Sequence, residues 1–85
     1  MRILVVEDDP LLGDALHAGM RQHGHAVDWV RDGVAAAHAL ECETYAAVVL
    51  DLGLPRLSGV EVLRRVRAAG NTVPVLILTA RDAVA

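Results

Sequence analysis

Residues 3–10, ILVVEDDP, run from four apolar residues directly into three carboxylates and a proline. The apolar run is typical of a buried strand, whereas crowded carboxylates disfavour one another's ionised form. Two explanations of the acids compete: they cap the next helix, or they hold a cation. Pro10 fits the first helical position, where its missing N–H is no loss, so Asp9 is predicted to be the helix cap. Glu7 and Asp8 then remain as candidates for a cation site.

The hydrophobic pattern of the rest of the chain alternates between strand and helix. Strands are predicted within residues 2–8, 26–30, 46–51 and 73–80, and helices within residues 10–23, 34–42 and 58–70. Asp28 interrupts the second strand and favours a place at a sheet edge. Ser58 and Glu61 have the spacing of a capping box. The order βαβαβαβ predicts an α/β fold with a parallel sheet covered on both faces.

Composition excludes several classes of function. The chain has 85 residues, 54% of them hydrophobic, and a net charge of −3. Its basic residues are all arginines without a basic stripe, which argues against direct nucleic-acid binding. A single Cys42 excludes a disulfide framework, and no apolar run is long enough for a signal peptide or a membrane span. We therefore expect a cytoplasmic protein without a membrane partner.

Polar side chains follow several predicted strands, where each strand ends. Glu7 and Asp8 end the first strand, Asp51 the third and Thr79 the fourth. If strands one and three are neighbours, these groups meet at one edge of the sheet. Carboxylates are ligands that Mg²⁺ prefers, and a carboxylate beside such an ion can attack phosphorus to give an aspartyl phosphate. A solvated, purely structural role for these charges is the alternative.

Three motifs, VVEDDP, VVLDLGLPRLSG and VLILTA, in this order and spacing, resemble the receiver domain of bacterial two-component response regulators. The motif DLGLP is most similar to that of the OmpR/PhoB subfamily of winged-helix transcription factors. The resemblance covers the whole chain. It implies a flavodoxin-like (CheY-like) doubly wound parallel sheet with strand order 2-1-3-4 for the strands present.

The resemblance also implies roles for individual residues. Asp51 matches the phosphoacceptor, Glu7 and Asp8 match the acidic pair at the Mg²⁺ ion, and Gly53 matches the position whose backbone carbonyl ligates it. In the same way, the phosphate-binding switch positions are Thr79 and Ala80.

The implied function is that of a signalling phosphoacceptor rather than of an enzyme. A sensor histidine kinase is the implied partner, and a DNA-binding output domain in transcription regulation is the implied target.

The sequence departs from the family pattern at its C-terminal side. The family has five strands and five helices, with a lysine at the end of strand five, whereas this chain stops just after strand four and contains no lysine. We expect residues 1–85 to be a partial receiver domain without a DNA-binding domain. We also expect the apolar fourth strand to form an edge that favours self-association or exchange of elements. The alternative function is a structural fragment that cannot be phosphorylated.

Rival sites on the same kind of sheet fit poorly. The sequence after strand one lacks the glycine pattern of a dinucleotide site, and a P-loop needs a lysine. A haloacid-dehalogenase-type phosphatase usually has a second aspartate where Gly53 stands. Trp29 is predicted to pack on an edge strand rather than to stack on bases. The histidines have no ligand-like spacing with Cys42, so zinc is not expected.

Overall fold

The computed structural model describes residues 1–78 of the chain. Strands and helices alternate throughout this part, so the predicted order βαβαβαβ is confirmed. The elements are β1 (Arg2–Val6), α1 (Pro10–Gln22), β2 (Ala26–Val30), α2 (Gly33–Cys42), β3 (Ala47–Leu50), α3 (Gly59–Ala68) and β4 (Val75–Ile77).

The four strands form one parallel sheet in the order β2-β1-β3-β4. β1 lies between β2 and β3, and Val6 pairs with Val30 on one side and with Leu50 on the other. The predicted fold class and strand order are therefore confirmed. Because strands one and three are neighbours, the residues that follow Val6 and Leu50 share one edge of the sheet.

The core is divided between the two faces of the sheet, because successive side chains of β1 point to opposite faces. Leu4 and Val6 belong to an apolar cluster that includes residues of α2 and α3. Ile3 and Val5 belong to a second cluster, against which Leu16 of α1 packs. β1 is thus covered on both faces, which explains its continuous apolar sequence.

Each helix begins at a side-chain cap that the sequence indicates. The backbone N–H of Leu11 donates to Asp9 Oδ1 at 3.0 Å, and Asp32 and Ser58 cap α2 and α3 in the same manner. The Glu61 side chain does not complete a capping box but forms ion pairs with arginines one turn later. These caps fix where each helix departs from the strand before it.

Among residues 1–78, β4 comprises Val75–Ile77, so it begins two residues later than the predicted strand. Leu76 and Ile77 have 65% and 41% of their surface exposed. The apolar sequence predicted the strand but not its first residue, because pairing depends on a neighbouring strand and not on composition. The predicted switch residues Thr79 and Ala80 lie outside the described residues.

Candidate functional site

Three carboxylates converge at the carboxyl edge of the sheet. Glu7 and Asp8 follow β1, and Asp51 follows β3. One oxygen from each carboxylate can be chosen so that all three lie within 4.8 Å of one another. The structure thus brings together the acids that the sequence places at neighbouring strand ends. Among residues 1–78 this is the only such group of three metal-ligating side chains.

The site is buried although it is acidic. Glu7 and Asp51 have no exposed surface, and Asp8 is partly exposed. Burial raises the pKa of the Glu7 carboxyl above its usual range. The Asp51 carboxylate adds to this rise, whereas the backbone N–H of Asp9, 3.0 Å from Glu7 Oε2, opposes it. Holding these charges together costs free energy, which a bound cation would reduce.

Backbone groups fix the orientation of Asp51. Its own N–H donates to the carbonyl of Val6 at 3.0 Å, which continues the β1–β3 ladder by one residue. The N–H of Gly53 donates to Asp51 Oδ1 at 3.2 Å. A Cβ on Gly59 would lie 2.5 Å from the Asp51 carbonyl oxygen, so α3 can begin against this strand end only without a side chain there.

The loop between β3 and α3 carries Gly53 and packs against the first turn of α2. The Gly33 N–H donates to the Pro55 carbonyl at 3.3 Å, and a Cβ on Gly33 would lie 1.8 Å from the carbonyl oxygen of Leu57. Arg56 has a φ of 69°, which is uncommon for a side-chain-bearing residue, and its guanidinium lies 3.7 Å from Asp32. The start of α2 therefore supports the loop that follows Asp51.

Sequence reasoning missed the contacts that β2 makes with the acidic segment. The indole Nε1 of Trp29 donates to the carbonyl oxygen of Glu7 at 2.9 Å, and Arg31 donates to the carbonyl of Asp8 at 3.2 Å. The implied strand order 2-1-3-4 places strands one and two side by side, but the register that places Trp29 and Arg31 on either side of Val30, the partner of Val6, comes from the structure.

The other predicted residues lie away from this cluster or outside the described part. Asp9 caps α1 through its side chain, as the sequence predicts, and reaches Glu7 through its backbone N–H. His38 lies 3.7 Å from the sulfur of Cys42 on the exposed face of α2. No helix within residues 1–78 combines the length and apolarity needed to cross a membrane.

A family profile, the response regulator receiver domain, matches residues 3–85. The chain belongs to this family. The prediction of the receiver-domain family is therefore confirmed over nearly the whole chain. Receiver domains are signalling modules rather than classical enzymes.

Curated relatives include regulators of transcription. The receiver chain is 56% identical to the response regulator protein PmrA of Pseudomonas aeruginosa over 85 residues, which is all of this chain and 38% of PmrA. It is 55% identical to the transcriptional regulatory protein QseB of Haemophilus influenzae over 96% of this chain and 37% of QseB. The chain thus spans less than two fifths of the length of these relatives.

Solved receiver domains share the fold and part of the sequence. The receiver domain of the sensor histidine kinase PA1611 from Pseudomonas aeruginosa, solved with a magnesium ion in its active site cleft, has a TM-score of 0.88 and 38% identity. The match covers 93% of this chain and 66% of that one. The response regulator TrrA, solved in complex with the histidine kinase ThkA, has a TM-score of 0.84 and 32% identity over 93% of this chain and 68% of the matched chain. TrrA comes from Thermotoga maritima.

Proposed function

We propose that this receiver domain accepts a phosphoryl group on Asp51 from the phosphohistidine of a sensor histidine kinase. The observation that supports this most directly is the buried cluster of Glu7, Asp8 and Asp51, whose oxygens lie within 4.8 Å. Crowded buried carboxylates disfavour one another's ionised form, and a bound cation would reduce that cost. The solved kinase complex of TrrA makes a histidine kinase the partner to propose.

The donor set suits Mg²⁺. All three side chains offer hard carboxylate oxygens, and Mg²⁺ in proteins is usually held by one or two carboxylates together with water and phosphate oxygens. Glu7, Asp8 and Asp51 would hold the ion, and the backbone carbonyl of Gly53 would complete the protein ligands. When bound, Mg²⁺ neutralises charge and so lets an anionic phosphoryl group approach Asp51.

Asp51 acts as the nucleophile in this proposal. An Oδ–P bond forms while the N–P bond of the phosphohistidine breaks, and the departing imidazole nitrogen keeps the bonding electron pair and takes a proton from water. The N–H of Gly53 on Asp51 Oδ1 holds the carboxylate in one rotamer for this attack. Thr79 and Ala80 are proposed to bind the phosphoryl oxygens through a hydroxyl and a backbone amide.

The proposed output is transcription regulation. The names of PmrA and QseB are those of a response regulator and a transcriptional regulator, and this chain spans 38% and 37% of them. A DNA-binding domain in the remainder of such a protein would respond to phosphorylation in the cytoplasm. Residues 1–85 themselves are proposed to contact no nucleic acid and no membrane.

Intact-mass measurement tests the proposal. The protein is incubated with Mg²⁺ and a small acyl phosphate, beside Asp51→Asn and the control Asp14→Asn, which removes an exposed carboxylate from α1. We expect one phosphoryl adduct on the wild type and on the control, none on Asp51→Asn, and none without metal. No adduct on folded wild-type protein would instead favour the structural fragment that cannot be phosphorylated.

Self-association through β4 is part of the same proposal. β4 pairs on one side with β3, and its Leu76 and Ile77 are exposed apolar residues. A second copy of the chain would bury both side chains and pair the backbone of the edge. Sedimentation at increasing concentration should show a dimer, and Leu76→Glu should return it to a monomer. A wild type that stays monomeric would refute this part alone.

A further inference from the structure

The peptide that carries Glu7 and Asp8 is held by three consecutive residues at the end of β2. The N–H of Glu7 donates to the carbonyl of Val30 at 3.1 Å, which extends the strand pairing. Trp29 Nε1 donates to the Glu7 carbonyl at 2.9 Å. Arg31 Nη2 donates to the Asp8 carbonyl at 3.2 Å. Both carbonyls of the acidic pair therefore accept hydrogen bonds from side chains at the end of β2, Trp29 within the strand and Arg31 directly after it.

The position of the Trp29 indole is set from the other side by α1. A Cβ on Gly13 would lie 2.2–2.6 Å from the nearest indole atoms, so the ring fits only because residue 13 has no side chain. His17, one turn further along α1, has its ring centroid 6.2 Å from that of Trp29. The indole thus lies between α1 and the acidic segment, where it has little freedom to turn away from the Glu7 carbonyl.

Trp29 and Arg31 also support each other. The guanidinium of Arg31 lies over the Trp29 ring, 5.8 Å from its centroid, within the range of a cation–π contact. The guanidinium of Arg31 therefore contacts the indole and, through its Nη2, donates to the Asp8 carbonyl. The two side chains therefore hold the peptide of Glu7 and Asp8 together, although neither contributes a metal ligand.

We propose that Trp29 is a positioning residue for the cation site and that its indole N–H fixes the peptide from which the Glu7 and Asp8 carboxylates project. This inference rests on the proposed function, since it concerns the same site. Turning one peptide unit redirects both side chains, whereas Asp51 follows a different strand, β3, and its carboxylate is held by the N–H of Gly53. Groups that orient ligands without touching the ion commonly control metal affinity.

Trp29 is a cleaner residue to test than Arg31. Removing Arg31 would delete a hydrogen bond but also a positive charge near the carboxylates, and these changes act on cation affinity in opposite directions. Trp29→Phe removes the donor without changing charge. Tyr45→Phe is the matched control, because it likewise deletes one hydrogen bond donated by an aromatic side chain. The acceptor of that hydrogen bond is Asp28, which pairs with Leu4 in the middle of β1 and not with the carboxyl end of that strand.

The experiment is calorimetric titration of the purified protein with Mg²⁺, at a temperature where circular dichroism shows every variant to be folded. We expect Trp29→Phe to weaken Mg²⁺ binding about threefold to tenfold, the range of one net hydrogen bond. Tyr45→Phe should bind within about twofold of wild type. If the cavity left by phenylalanine unfolds the protein, benzothienylalanine at position 29 keeps the ring shape and removes only the N–H.

The outcomes separate the two proposals. Equal Mg²⁺ affinity of wild type and Trp29→Phe, or an equal loss in Tyr45→Phe, would overturn the positioning role and leave the proposed function standing. A wild type that binds no Mg²⁺ would overturn both. Trp29 is the only tryptophan of the chain, so its emission gives a second readout. The emission of the wild type should change along the same binding curve, and Asp51→Asn should abolish that change.

Discussion

Replacing Asp51 with asparagine is expected to stabilise the metal-free protein while removing its response to Mg²⁺. The substitution deletes one of three charges whose oxygens lie within 4.8 Å, and so two of three repulsive pairs. The asparagine side chain keeps an oxygen that can accept the Gly53 N–H, which now donates to Asp51 Oδ1. The electrostatic repulsion among the three carboxylates is therefore the main contribution to stability that the substitution changes.

Coulomb's law sets the magnitude of this effect. At 4.8 Å, the outer limit for these oxygens, a pair of like charges costs about 0.9 kcal/mol in water and about 3.5 kcal/mol at an effective dielectric constant of 20. The backbone N–H groups of Asp9 and Gly53, which donate to the Glu7 and Asp51 carboxylates, offset part of the repulsion, which favours the lower limit. We expect the free energy of unfolding to rise by about 2 kcal/mol for the two pairs.

Urea unfolding measures the free energy of unfolding, first in the presence of a chelator and then with added Mg²⁺, and so tests both parts of the prediction. At a concentration ten times its dissociation constant, Mg²⁺ should stabilise the wild type by about 1.4 kcal/mol and leave Asp51→Asn unchanged. The exposed Asp14→Asn should change stability by less than about 0.5 kcal/mol. A metal-free Asp51→Asn protein that is no more stable than the wild type would refute the reasoning, because the cluster would then store no repulsion.

Three further predictions concern other parts of the fold. Burial, together with the Asp28 carboxylate that its hydroxyl contacts at 2.6 Å, raises the pKa of Tyr45 to about 12. The stabilisation of the fold that this raised pKa represents is complete below pH 10 and is lost as pH rises towards 12, by up to about 3 kcal/mol in the free energy of unfolding. Ultraviolet titration of Tyr45, the sole tyrosine of the chain, measures the pKa. Gly33→Ala should cost about 2 kcal/mol or more in urea unfolding, since its Cβ meets the Leu57 carbonyl. Gly19→Ala, where nothing lies within 4 Å, should instead stabilise by about 0.5–1 kcal/mol.

Much of the fold and of the candidate site could be predicted because the signals are local. Asp9 before Pro10 indicates a helix start whatever lies elsewhere, and the structure places Asp9 at that cap. The convergence of Glu7, Asp8 and Asp51 needed one further inference, that strands one and three are neighbours. Resemblance to the family implied it through the strand order 2-1-3-4, and the pairing of Val6 with Leu50 confirms it.

The contacts that no short stretch of sequence contains could not be predicted. Trp29 reaches the Glu7 carbonyl only because Gly13, on a different element, leaves room for the indole. Such a contact depends on strand register and on the packing of α1 together. The left-handed backbone of Arg56 is similar, because the carbonyl of the preceding Pro55 accepts hydrogen bonds both from Leu57 within the loop and from Gly33 of α2, a distant element.

The central place of β1 has a consequence for how the protein is made. β1 is synthesised before both strands that flank it, and the second of them, β3, is complete only at Leu50. At translation rates of about 5–20 residues per second, the apolar segment of β1 waits several seconds for that partner. During this interval the apolar segment is paired with at most one neighbouring strand, β2. The strand that leads into the acidic site therefore completes its pairing only after Leu50 has been synthesised.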